Sequence, residues 1–140
     1  MSAEAQEAMG LALDALLKRD GDLAARVIAG DRAIDALELE IEETVLDLFA
    51  TQQPMARDLR LLMAAMKIAT DLERVGDHAV NIAQSAERLL KARLIAPEPE
   101  LIEMARQARG MLSGALDAFV RGDPELGREI CRRDDSVDAL

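Results

Sequence analysis

At 140 residues the chain has room for one or two small domains, and its formal charge of −10 argues against DNA, RNA or anionic lipid as direct partners. Half of the residues are hydrophobic, yet only Phe49 and Phe119 are aromatic, so Ala, Leu, Ile, Val and Met must fill the core. With helical periodicity, no period-two alternation and no strand–turn–strand signal, that composition predicts an all-α bundle.

The sequence has no run of 18 apolar residues and no basic, apolar leader at Met1. It has a single thiol, Cys131, which has no partner for an internal disulfide and reads as a small packing residue. These features predict a cytoplasmic protein, peripheral to a membrane at most.

Helix 1 is expected from about Ala3 to Arg19, with Met9, Ala12, Leu13, Leu16 and Leu17 on one stripe. Asp20–Gly21–Asp22 breaks it and offers a cap for the next helix. Helix 2 runs from about Leu23 to Ala50, with Ile34, Leu37, Ile41, Val45 and Leu48 inward. Asp31, Asp35, Glu38 and Glu42 form an acidic ridge beside that stripe. Pro54 suits the first turn of helix 3. Helix 3 then continues to about Arg93, some ~39 residues and roughly 58 Å. Its seam reads Leu61, Ala65, Ile68, Leu72, Val75, Ala79, Ile82, Ala86 and Leu89, in alternating steps of four and three. Glu73 and Asp77 stack one turn apart on the other side, among Leu62, Met66, Ala69 and Val80. A linker follows from Leu94 to Pro99, then helix 4 from about Glu100 to Arg121. Asp123–Pro124 is a cap and first-turn proline for helix 5, which runs to the end of the chain.

An internal repeat lies 103 residues apart. Leu11–Leu37 aligns without gaps on Gly114–Leu140, with ten of 27 positions identical. Asp31 falls on Asp134 and Asp35 on Asp138. Residues 1–94 therefore read as a complete three-helix unit, and 95–140 as an incomplete second one with two helices. Apolar positions on helices 4 and 5, Phe119 among them, are left without a third helix. The reading favours a fragment over a naturally shortened protein, with helices 4 and 5 pairing with a second copy in a homodimer; the alternative is that they fold back onto the first bundle or are partly disordered.

Three acidic pairs at i,i+4 carry the chemistry: Asp31/Asp35, Glu73/Asp77 and Asp134/Asp138. Side chains four apart point the same way, so like charges repel unless a cation or water compensates. Oxygen ligands alone suit magnesium, calcium, manganese or iron, with zinc possible. Against this stands chance, because 27 acidic residues yield such pairs readily, and Arg32 and Arg74 lie within two of them as competing partners. His78, the only histidine, has no Glu three residues before it, which argues against a ferritin-like di-iron centre. No phosphate loop, zinc-protease motif or nucleophile–base set is present, so no enzyme is expected.

The motifs DRAIDALELEIEE and QQPMARDLRLLMAAMKIATDLERVGDHAVNIA resemble the PhoU family of phosphate-uptake regulators. The resemblance rests on Asp31/Asp35, Gln53–Pro54, Asp58–Leu59–Arg60, Glu73 to Asp77 and Asn81–Ile82. It implies two similar three-helix bundles and a negative regulator of the phosphate-starvation response. It implies as partners the phosphate ABC transporter ATPase and its sensor histidine kinase, with no nucleic acid. It also implies a divalent or trivalent metal ion (iron, zinc, manganese or magnesium) at Asp31, Asp35, Glu73 and Asp77. Asp134 and Asp138 would supply half of a second site. Two other readings stay open from the residues: a catalytic carboxylate metalloprotein, and a structural dimerisation module whose carboxylates are solvated.

Overall fold

Two aspartates set the corners of the fold. Asp20 accepts the backbone N–H groups of Asp22 and Leu23 at 3.0 and 3.1 Å. Asp123, 103 residues on, accepts those of Glu125 and Leu126 at 3.0 Å each. Each caps the start of a helix whose first donors otherwise lack partners. The residue before each aspartate, Arg19 or Gly122, adopts the left-handed conformation that ends the preceding helix. The repeat seen in the sequence is thus a repeated helix–turn–helix.

The computed structural model describes residues 1–92 and 96–138. The elements are α1 (Ser2–Lys18), α2 (Gly21–Gln52), α3 (Ala56–Leu90), α4 (Pro99–Arg121) and α5 (Pro124–Val137). Among the described residues there is no strand, and no helix is long and apolar enough to cross a membrane. The beginning of the expected linker, from Leu94, and the last two residues of helix 5 lie outside the described residues, as does Arg93. Pro54 does not enter α3. Gln53 turns left-handed and closes α2, Met55 caps α3, and Pro54 stands between them as the residue that stops the first helix. Helix 3 is accordingly 35 residues long, shorter than expected.

The core is built from alanine. Ala12, Ala15, Ala24, Val27, Ala79, Ala83 and Ala86 form one buried cluster shared by α1, α2 and α3. The seam of α3 is displaced by one residue from the sequence expectation along much of its length. Ala69, Leu72, Gly76, Ala79, Ala83 and Ala86 are buried, whereas Leu61 and Leu89 are 57% and 40% exposed. Small residues occupy the line of closest approach, and Ile68, Val75 and Ile82 flank it, half buried. The reason is steric: helices close enough to share an alanine seam leave no room on that line for branched side chains.

Unequal helix lengths leave α2 and α3 projecting beyond the 17 residues of α1. Helix α4 leans on α1, where Arg109 reaches over Gly10 and pairs with Asp14 at 3.3 Å. Helix α5 packs on α4 through buried Ile130, the repeat equivalent of buried Val27. Cys131 is exposed rather than packed, because it lies next to Ile130 and points off the contact line. Arg19 ties the first corner to the end of α3, donating to the carbonyl of Leu89 at 2.5 Å and that of Ala92 at 3.2 Å.

A Cβ at Gly76 would stand 3.0 Å from Cδ1 of Ile34. Gly76→Leu should therefore overpack the α2–α3 seam and lower stability by about 1–3 kcal/mol, read by urea denaturation.

Candidate functional site

The contact of Ile34 with Gly76 sets the register of the α2–α3 pair. Counting outward along two antiparallel helices, Asp35 lies level with Val75 and Asp31 level with Ala79. Glu73 and Asp77 therefore bracket Asp35. With each residue turned about 100° from the last, both acidic pairs lie on the side of the hairpin away from α1. The shared apolar seam holds the two pairs there against their mutual repulsion.

The electrostatics agree with this placement. Partial burial, then the charges of Asp35 and Asp77, push the Asp31 carboxyl above its ordinary range. Glu73 is pushed up by desolvation first, and then by Asp77, Glu38, Asp35 and Asp31. All four expected residues thus belong to one negative cluster. Glu38, on the acidic ridge one turn after Asp35, is a fifth member beyond the four expected, and that spacing is the signal for it in the sequence. Arg74 turns away to Asp71 at 3.7 Å, and among the described residues no salt bridge engages the five carboxylates.

As donors, these groups fit a hard cation, because all are oxygen ligands and their crowding is what a cation relieves. Their side chains are not drawn together in this structure. Among the described residues no three His, Cys, Asp or Glu side chains converge to hold a metal ion. Asp35 and Asp77 are exposed and free to change rotamer. Asp134 and Asp138 lie exposed near the end of α5, away from this cluster. His78 is exposed and turned off the acidic side of α3.

Comparison with known proteins follows the same outline. A family profile described as the PhoU domain matches residues 1–86 and 101–140. Over 141 residues the chain is 39% identical to the phosphate-specific transport system accessory protein PhoU homolog of Clostridium acetobutylicum, covering all of itself and 64% of that protein. It is 35% identical over 138 residues to the accessory protein PhoU of Escherichia coli, of which it covers 57%. The crystal structure of PhoU from Pseudomonas aeruginosa matches with a TM-score of 0.94 at 33% identity, over 99% of this chain and 67% of that one. The regulatory protein PhoU from Streptococcus pneumoniae matches with a TM-score of 0.90 at 31% identity, over 99% and 65%. The chain thus spans less than two thirds of the length of the first of these curated relatives.

The raised carboxyls imply a measurable pH dependence. Asp31 and Glu73 bind protons more readily in the folded chain than in the unfolded one. Their partial burial, together with their crowding, therefore lowers stability above their folded-state pKa values. The loss is relieved as the pH falls through those values toward the ordinary 3.8 of an aspartate. Asp31→Asn should stabilise the protein at neutral pH by on the order of 0.3 kcal/mol, and the gain should vanish in acid. Denaturant titrations of both proteins at pH 7 and in acid check this.

Proposed function

The chain belongs to the PhoU domain family, and on that premise we propose that it is a regulatory adaptor of phosphate transport. The observation that carries the reading is similarity along the whole chain to proteins named as accessory to phosphate-specific transport systems. In this reading the protein works in the cytoplasm as a negative regulator of the phosphate-starvation response. Its partners are the ATPase of the phosphate ABC transporter and the sensor histidine kinase. Its role is to bind them, and no catalytic step is assigned to it.

The reading includes a cation at Asp31, Asp35, Glu73 and Asp77, with Glu38 beside them. A bound divalent or trivalent ion would supply positive charge where five carboxylates crowd. The residues' own part is to offer oxygen donors from two helices and to swing inward at Asp35 and Asp77. Asp134 and Asp138 would contribute to a second such site.

The adaptor reading is tested by pull-down of the purified transporter ATPase and sensor kinase. Retention of at least one at micromolar concentration is expected, and retention of neither overturns it. The cation is tested separately by elemental analysis of the purified protein. Glu73→Ala should lower the metal content severalfold with the helical circular dichroism unchanged; unchanged content would show that the ligand assignment is wrong.

The homodimer belongs to the same proposal. Phe119 and Val120 on α4 are 40% and 81% exposed, and an apolar groove lined by Ile68, Leu72, Leu112 and Leu116 runs beside Phe119. Light scattering of the 140-residue chain should give twice the monomer mass. Phe119→Asp should return it to a monomer, because the change sets a charge in the contact.

A further inference from the structure

The side of the α2–α3 hairpin that carries the carboxylates changes character along its length. Toward the base stand Asp31, Asp35, Glu73 and Asp77. Toward the tip the same side carries Leu46, Phe49, Leu59, Leu62 and Met66. Leu46 and Leu59 are 58% and 42% exposed, and the other three are half buried. The register explains the grouping: with Ile34 opposite Gly76, Leu46 lies level with Ala64, between Leu62 and Met66. None of the described helices covers this side, since α1 lies against the other one. The total exposed area of 9318 Å² exceeds the roughly 7,100 Å² of a compact chain of 15.2 kDa, so the molecule carries much uncovered surface.

We propose that this face docks a partner-protein helix that is apolar over one half and rich in Lys and Arg over the other. Charge complementarity selects that occupant. Apolar side chains in a helix would cover Leu46, Leu59 and Met66, while its basic half would lie over the carboxylates when no cation holds them, so that helix and cation compete for that half of the face. From Leu59 to Asp77 the face runs about 27 Å, the length of a helix of about 18 residues. A second copy of this chain fits less well, because a parallel copy sets carboxylates against carboxylates and an antiparallel one sets them over Leu46 and Leu59. The methionine at the centre suits a surface that adapts to its ligand. The inference deepens the adaptor reading and rests on it for the partner being a protein.

The test uses the full chain in chelator, so that it is independent of the cation. A fluorescein-labelled synthetic helix of about 18 residues, Leu-rich in one half and Lys-rich in the other, is titrated and followed by anisotropy. A scrambled peptide of the same composition serves as control. Binding should be at least tenfold tighter for the patterned peptide. Leu46→Asp and Leu59→Asp, both at exposed positions, should each weaken it about tenfold. Asp35→Asn with Asp77→Asn should weaken it severalfold and flatten its salt dependence. Asp135→Asn on α5 should leave it unchanged. Equal binding of the scrambled peptide overturns the proposal, since net charge alone would then explain it. So does undiminished binding by both leucine variants. Self-association abolished by Leu46→Asp would assign the face to a second copy and also overturn it. A failed pull-down bears on the adaptor reading, whereas the peptide titration bears on this face.

Discussion

Close approach of three helices along a line of small side chains is the constraint on which the rest depends. Alanine and glycine at Ala69, Gly76, Ala79, Ala83 and Ala86 let α3 come near α1 and α2. Once helices are that close, register is set by the few larger groups that must fit, and Ile34 over Gly76 is the clearest of them. Everything on the outer side of the hairpin inherits its height from that pair. A different register would move Glu73 and Asp77 away from Asp35, and there would be no common acidic cluster.

The same packing explains how like charges are kept together. Surface carboxylates normally separate by changing rotamer, and their repulsion is small in water. Here the backbone is fixed by the apolar seam behind them, so separation is limited to what the side chains alone achieve. Partial burial first, and then the remaining crowding, displaces the Asp31 and Glu73 carboxyls upward. Arg74, which stands between Glu73 and Asp77 in sequence, does not relieve it because one residue along a helix is a turn of about 100°. The short spacing that brings arginine near in sequence sends it to Asp71 in space.

Much of this architecture was legible in the residues. Helix number, the caps at Asp20 and Asp123, and the repeated helix–turn–helix followed from local rules that act within a few residues. The acidic pairs were legible because i,i+4 spacing and an antiparallel hairpin bring them to one side. The seam of α3 was less so. Hydropathy favours Ile68, Val75 and Ile82 over Ala69, Gly76 and Ala83, yet closeness of approach selects the smaller set. Pro54 misled for a related reason, since the same residue type suits the start of one helix and the stop after another. Glu38 stands one turn after Asp35, but its closeness to Glu73 comes from the tertiary register.

The projection of α2 and α3 beyond α1 has a consequence for how stability is distributed. At the base each backbone segment is held by two neighbours and a buried cluster. Toward the tip each helix has essentially the other alone, and no residue of α3 before Ala69 is fully buried. Local opening therefore requires least free energy at the Gln53–Pro54 turn, and progressively more toward Ala79. Amide exchange would fall along the hairpin as a gradient, not a step. A ligand held across both halves joins the readily opened segment to the resistant one, slowing exchange most where it was fastest.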